Sequence, residues 1–275
     1  MDVFPYAWHT HENSNNGIDI RAFGLNDKNE SVYVAVRNFM PYVYLELPCE
    51  MDWPEYKVKT LYTKLDTLAP FYARAKVKFF EKKKKLYYAK GSFDEKEDKK
   101  EDKEEKKDNK YTDKLYPFVK CSFGSQNHIR SFVNKLSKPL YVDGIGNVKL
   151  KAHEGDANPV LQFMCLQNLK PASWFNFKNS RRITNPDDRE STCIHEYSVD
   201  WNNVYPVDKN TVSAPLILSF DIEVNSCNPN VAPRSNVWED KIFQISCVFG
   251  RNGAPEKTYE KYILSLGKNK KGELI

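Results

Sequence analysis

Apolar and polar positions along this chain change period several times, and each change marks an element. Residues 18–23 (Ile-Asp-Ile-Arg-Ala-Phe) and 31–36 (Ser-Val-Tyr-Val-Ala-Val) are short apolar-rich runs on either side of Asn26-Asp27-Lys28-Asn29, which predicts two strands about a turn. Residues 42–47 predict a third strand. From Asp52 the period lengthens. Val58, Leu61, Tyr62, Leu65 and Leu68 form an apolar stripe at helical spacing, with Asp52 as the expected cap, Pro54 near the first turn and Pro70 at the end. Residues 72–80 and 86–89 predict a hairpin with Glu81 to Lys85 as its charged tip, and 116–123 another strand. Ser125 is placed to cap a second helix, with Ile129, Phe132, Val133 and Leu136 on one face and a stop before Pro139. Short strands at 141–142 and 148–150 flank Asp143-Gly144-Ile145-Gly146.

From residue 42 the order is strand, helix, two or three strands, helix, strand. That is the split βαβ arrangement of ferredoxin-like domains, which RNA-binding modules also use. The likeness is topological and carries little functional information. Residues 94–110 contain only Asp, Glu, Lys and one Asn. Such a segment has nothing apolar to bury and is expected to be a solvated insert.

Further on, Asn158-Pro159 opens a short helix carrying Val160, Leu161, Phe163, Met164 and Leu166. Residues 172–177 and 192–199 predict strands around a polar loop with Arg181, Arg182 and Arg189. Residues 201–214 form a linker-like approach to Leu216-Ile-Leu-Ser-Phe-Asp-Ile-Glu-Val224, an apolar run that predicts a buried, central strand. Residues 240–249 and 258–266 predict two more strands, and consecutive strands joined by loops make an antiparallel meander. Ribonuclease-H-like nuclease folds open in this way. The fold class is therefore α+β: a mixed β domain with a ferredoxin-like part over 1–210, then the opening strands of a ribonuclease-H-like domain over 211–275.

Composition narrows the picture modestly. At 275 residues the chain is long enough for about two domains. Mean hydropathy is low at −0.67, yet aromatics make up 13%, more than a disordered chain carries. A net charge of +5 is compatible with a polyanionic partner without requiring one. The six cysteines form no Cys-x-x-Cys pair, which argues against a zinc finger or redox motif, and most lie in apolar runs as buried thiols do. The start carries no basic cluster followed by an apolar segment, and no stretch of about 18 apolar residues occurs. An intracellular protein without a membrane span is expected.

The candidate chemistry lies in Asp221 and Glu223. Residues i and i+2 of a strand point to one face, so both carboxylates aim at the same spot. Carboxylates beside a buried strand need compensation, and Mg²⁺ or Mn²⁺ suits oxygen ligands. Alone, Asp-x-Glu is a common pattern. His9, His11 and Glu12 lack a third well-spaced ligand, and His153 and His195 are lone histidines expected to be structural. Gly144 and Gly146 mark a turn, since no helix follows them as in a phosphate loop.

The neighbours of the two carboxylates sharpen the reading. Pro215-Leu-Ile-Leu-Ser-Phe-Asp-Ile-Glu223, a variable loop, then Asp240-Lys-Ile-Phe-Gln-Ile-Ser246 resembles the first exonuclease motif of family B DNA polymerases. Upstream, His153-Glu154, Asn158-Pro-Val-Leu-Gln-Phe-Met164 and Ser173-Trp-Phe175 are similar to the segment that precedes the exonuclease domain in that family. His153 stands in place of an aromatic, Gln162 in place of an Arg and Ser173 in place of a Gly. Asn38-Phe-Met-Pro-Tyr-Val-Tyr-Leu-Glu-Leu-Pro48 is similar to an early strand of the family. The resemblance covers nearly the whole chain outside the charged insert. The Lys-, Asn- and Tyr-rich composition is similar to the versions from large DNA viruses.

The resemblance implies a DNA-directed DNA polymerase used in replication, with a proofreading 3′→5′ exonuclease that hydrolyses phosphodiesters with two Mg²⁺ or Mn²⁺ ions. It implies that Asp221 and Glu223 are metal ligands and catalytic. The family's further exonuclease ligands and its palm-domain aspartates lie in later motifs, so residues 211–275 are expected to be a truncated exonuclease domain and the fragment inactive by itself. The implied partners are primer-template DNA with a single-stranded 3′ end, the rest of the polymerase chain and a sliding-clamp processivity factor. The implied location is a host nucleus or a cytoplasmic replication site. Tyr87, Tyr88, Lys82 and Lys83 are candidates for single-strand contacts, since aromatic faces stack on bases and lysines follow phosphates. A second hypothesis remains: a non-catalytic, single-stranded nucleic-acid-binding accessory module derived from a polymerase.

Overall fold

The computed structural model describes residues 1–13, 17–69, 77–84 and 115–267, with the main chain alone at 77–84 and 115. The predicted strand 86–89, the insert 94–110, Tyr72, Tyr87 and Tyr88 lie outside the described residues. The architecture is mixed α+β and mostly strands.

In chain order the elements are β1 (Phe4–Glu12), β2 (Ile18–Leu25), β3 (Ser31–Phe39), β4 (Tyr42–Glu46), α1 (Glu55–Leu68), β5 (Val77–Lys84), β6 (Leu115–Ser122), α2 (Gln126–Lys135), β7 (Leu140–Val142), β8 (Gly146–Val148) and β9 (Lys151–His153). Then follow α3 (Pro159–Gln167), β10 (Phe175–Phe177), β11 (Arg181–Arg182), β12 (His195–Asp200), β13 (Val204–Pro206), β14 (Leu216–Asn225), β15 (Lys241–Arg251) and β16 (Glu260–Ser265).

The first sheet has the order β1-β2-β3-β12-β11. Alternation in β2 and β3 puts Ile18, Ile20, Ala22, Val32, Val34 and Val36 into one core with Val160, Phe163 and Met164 of α3. Asn158 caps that helix through the Val160 N–H, and Pro159 occupies its first turn. Strand β12 pairs in parallel with β3, His195 against Val32 through Asp200 against Arg37. On the opposite face, Glu190 accepts hydrogen bonds from Tyr33 Oη (2.7 Å), Arg21 Nη2 (2.8 Å) and Arg37. The buried Glu196 carboxylate accepts the backbone N–H groups of Glu190 and Ser191 and the Ser191 hydroxyl, so its burial is compensated.

The second sheet has the order β5-β6-β4-β9, antiparallel throughout. Val43, Leu45, Val119 and Cys121 face α1 and α2, whose Leu61, Leu65, Ile129 and Phe132 complete the core. Ser125 caps α2 as expected. Asp52 does not cap α1. Pro54 takes the cap position with no side-chain bond, and only the Asp52 carbonyl is used, by Lys57. Glu81 to Lys84 are not a hairpin tip, because β5 runs through them and Glu81 pairs with Phe118. The short strand expected at 148–150 lies two residues earlier, as β8, and pairs with β7; among the described residues these two form their own small sheet, and β9 supplies the fourth strand of the larger one. Of the cysteines, only Cys121 and Cys193 are buried. Cys49, Cys165 and Cys227 are exposed, because apolar neighbours in sequence do not decide which side of an element a residue occupies.

Gln162 links the two sheets. Its Nε2 donates to the Tyr42 carbonyl at 2.8 Å, and its Oε1 accepts from the Tyr42 N–H at 3.1 Å, all buried. Gln162→Leu strands both backbone groups. The expected loss is about 1–3 kcal/mol for each, measurable as a lower midpoint in urea unfolding with an unchanged slope.

The approach to β14 is strapped down rather than loose. Residues 204–206 form β13 against β10. Lys209 Nζ binds Asp27 at 2.7 Å and also Asp2, and lies 4.7 Å from the Trp174 ring centroid. The Trp174 indole donates to the Thr211 carbonyl at 2.6 Å, and Ala214 N–H donates to Asn29 Oδ1 at 3.2 Å. These contacts fix where β14 begins.

Candidate active site

Strands β14, β15 and β16 form an antiparallel sheet in that order. The predicted meander is therefore present, but β15 is the central strand and β14 lies at an edge among the described residues. Nor is β14 buried. Phe220 is 65% exposed, and Leu216, Ile217, Leu218 and Ile222 are exposed as well. A hydrophobic run marks a strand that has an apolar partner layer available to it, and three strands by themselves supply no such layer.

Register assigns each side chain to a face. Asp221 pairs with Ser246, Glu223 with Gln244 and Ser219 with Val248. Asp221 and Glu223 thus share one face, with Ser246 and Gln244 directly opposite, and lie about 6.6–6.8 Å apart along the strand. The other face carries Leu216, Leu218, Phe220, Ile222, Ile245, Cys247, Phe249, Tyr262 and Leu264, and is apolar almost without interruption. A hollow of about 490 Å³, lined by Leu216, Phe249 and Tyr262 among others, opens on that apolar face, away from the carboxylates.

The two carboxylates are exposed, so the cost of burying them does not arise here. Asp221 Oδ1 accepts the Ile222 N–H at 2.9 Å. Glu223 makes no hydrogen bond or ion pair among the described residues. Both therefore keep oxygens available to a hard cation. Among the described residues no three His, Cys, Asp or Glu side chains come together as a metal cluster, so Asp221 and Glu223 stand as a pair.

A bulge follows at Glu223/Val224, and pairing resumes with Asn225 opposite Lys241. The loop between these residues is anchored by Asp240. Its Oδ1 accepts the Cys227 N–H at 2.8 Å, and its Oδ2 accepts the Arg234 N–H at 2.7 Å. These two backbone donors hold the Asp240 carboxyl below the usual carboxylate range. An acid at the start of the second strand is legible in the sequence, but its use as a loop anchor needs the fold. Trp238, on the same loop, is 82% exposed, with Lys241 Nζ 3.8 Å from its ring centroid.

The remaining candidates fall apart in space or into structural roles. Lys82 and Lys83 lie in β5, opposite Pro117 and Tyr116. His153 Nε2 lies 2.7 Å from Glu46, and His195 Nε2 lies 2.8 Å from Glu30, so each pairs with a carboxylate. His9 packs edge-on against Phe23. Gly144 and Gly146 adopt positive φ in the β7–β8 turn, as a turn requires. No helix of the described residues is long and apolar enough to cross a membrane.

Comparison with known proteins bears on this sheet directly. The profile of the "DNA polymerase family B, exonuclease domain" matches residues 150–273. The chain is 34% identical to DNA polymerase 120R of Invertebrate iridescent virus 3, over 96% of this chain and 23% of that protein. It is 28% identical to DNA polymerase 037L of Invertebrate iridescent virus 6, over 96% of this chain and 21% of that protein. The DNA polymerase of Acanthamoeba polyphaga mimivirus is also 28% identical, with 90% of this chain and 14% of that protein covered. The structure of the family B DNA polymerase from Pyrobaculum calidifontis superposes with a TM-score of 0.61 at 14% identity, over 97% of this chain and 27% of that one. The chain thus spans about a quarter or less of the length of these relatives. By sequence, nearly the whole chain is similar to part of the DNA polymerases of large DNA viruses and residues 150–273 match the family B exonuclease domain, while its fold is similar to part of an archaeal family B DNA polymerase.

Proposed function

We propose that this chain is the amino-terminal part of a DNA-directed DNA polymerase used in replication, and that β14 to β16 open its proofreading 3′→5′ exonuclease. The observation that carries the reading is the register that puts Asp221 and Glu223 side by side on one face, within the segment that matches the exonuclease-domain family. Two exposed carboxylates suit Mg²⁺ or Mn²⁺, which take hard oxygen ligands. Asp221 and Glu223 would hold two such ions together with ligands from elsewhere in the longer protein. Divalent cations bound there supply charge neutralisation at the scissile phosphate and activation of the attacking water. The chain's own contribution is to fix both carboxylates on a strand, where their spacing cannot drift.

Finer features belong to the same proposal. The order β5-β6-β4-β9, with α1 and α2 on the connections, supports a ferredoxin-like part inside the amino-terminal domain. The β14-β15-β16 meander supports a ribonuclease-H-like opening, and the proposed domain boundary lies near residue 210, ahead of β14. The substrate is a primer-template with a single-stranded 3′ end. The partners are the rest of the polymerase chain and a sliding clamp, at an intracellular replication site. The accessory-module reading has less support. Tyr42, Tyr44 and Phe118, on the sheet face away from α1 and α2, are buried, and Lys120 Nζ lies 3.9 Å from the Tyr42 ring centroid. These rings are packed, whereas a base-stacking platform has to offer them to solvent.

The test is degradation of a 5′-labelled single strand by the full-length protein in Mg²⁺. A ladder receding from the 3′ end, stopped by EDTA, is expected; cleavage from the 5′ end or indifference to EDTA would refute the reading. The 275-residue chain alone is expected to leave the same strand intact, because two carboxylates are fewer ligands than two metal ions need. Robust Mg²⁺-dependent degradation by the purified fragment would contradict that.

A further inference from the structure

We propose that the loop between β14 and β15 carries a contact site for a single-stranded nucleic acid, with Trp238 as the stacking surface and Lys241 as the phosphate contact. The proposal rests on the nuclease reading of Asp221 and Glu223, and names the residues that would grip the strand beside them.

Three observations support it. First, Trp238 is the most exposed large apolar side chain among the described residues, at 82%. An indole left in water forgoes a large burial gain, and its flat face is the surface on which any base stacks. Unlike Phe220 or Leu218, it does not belong to the continuous apolar face of the sheet. It rises from a polar loop of Ser226, Asn228, Asn230, Arg234, Glu239 and Asp240.

Second, the loop is already ordered. Asp240 ties both of its arms by accepting from Cys227 and Arg234, and Asp240 N–H donates to the Val237 carbonyl at 3.2 Å. Trp238 therefore sits within a closed turn, and little ordering remains to be done on binding. The Asp240 oxygens are taken up by backbone donors, which makes Asp240 an anchor of this loop rather than a third metal ligand.

Third, the register brings the cation to the correct face. Lys241 pairs with Asn225, which follows Glu223 by two residues and so shares the face of Glu223 and Asp221. Lys241 Nζ over the Trp238 ring couples the two side chains into one feature. A strand whose end reaches the carboxylates passes an aromatic face and an ammonium one step away. Stacking tolerates every base, as an enzyme that removes any terminal nucleotide requires.

The test measures binding, not hydrolysis. Full-length protein carrying Asp221→Ala and Glu223→Ala is titrated in EDTA into labelled oligothymidylate and followed by anisotropy. Adding Trp238→Ala is expected to weaken binding by about tenfold, and Trp238→Phe by no more than about threefold. Lys241→Ala is expected to lower the slope of log K against log salt by about 0.7. Unaltered affinity of a Trp238→Ala protein that melts at the parent temperature would overturn the proposal. So would a Trp238 shielded from acrylamide in the full-length protein, judged by comparing the parent with Trp238→Phe. The two readings fail separately. Degradation that survives loss of both carboxylates sinks the nuclease reading, whereas an indifferent titration sinks only the contact site.

Discussion

On the proposed function, Asp221→Ala with Glu223→Ala in the full-length protein is expected to remove 3′→5′ degradation while primer extension continues. Metal-borne charge stabilisation is worth several kcal/mol. With tenfold in rate for about 1.4 kcal/mol, losing both proposed ligands is expected to lower degradation by about 10³-fold or more. The fold should survive. Both side chains are exposed, and among the described residues the one hydrogen bond lost is the local one from the Ile222 N–H to Asp221. Two gels check the result, one following a 5′-labelled strand without nucleotides and one following extension of a primer with them. Degradation that persists in the double variant would disprove the assignment. Loss of both activities together would point to misfolding, which a thermal melt identifies. Each single variant should lie close to the double one, because ligands that act as a set are far from additive.

The second large effect concerns stability. Phe163→Ala is expected to destabilise the 275-residue chain by about 3–5 kcal/mol. Phe163 is fully buried, with its ring centroid 5.8 Å from that of Phe39 and 6.1 Å from that of Trp8. It fills the contact between α3 and the first sheet, and Ala leaves a cavity there that β1 and β3 cannot close without breaking their pairing. A domain of this size shifts by about 2–4 °C per kcal/mol, so differential scanning fluorimetry should show a fall of roughly 10 °C. A shift under about 3 °C would mean that α3 can settle into the gap and is packed less tightly than its neighbours indicate.

Much of the fold was legible because it depends on local period. The stripes of α1 and α2, the cap at Ser125, the Asn158-Pro159 start of α3 and the three strands of the last sheet all follow from spacing over a few residues. The placement of Asp221 and Glu223 on one face was legible for the same reason, since strand geometry alone imposes it. Other expectations failed where local pattern is silent. A lysine run such as Lys82 to Lys84 suits a solvated tip, yet β5 continues through it because backbone pairing to β6 does not consult side-chain charge. Asp52 has the chemistry of a helix cap but lies two residues too early, and Pro54 takes the position. The exposure of β14 is a property of what packs against a strand, and an apolar run cannot report it.

The sequence by itself determined the period of each element, the pairing of two carboxylates on one strand face and the resemblance of this segment to the first exonuclease motif of family B DNA polymerases. Tertiary structure alone decided which distant segments meet. Strand β12 joins β3 in parallel about 160 residues later, Gln162 bonds both backbone groups of Tyr42, and Lys209 straps the approach to β14 onto Asp2 and Asp27. It also decided that Asp240 closes a loop and that Lys241 stands on the face of Glu223. The physical reason is one of range. Side-chain direction follows from backbone geometry residue by residue, whereas a long-range contact forms only when burial elsewhere offsets the entropy of closing the intervening chain, and no short window of sequence contains that balance.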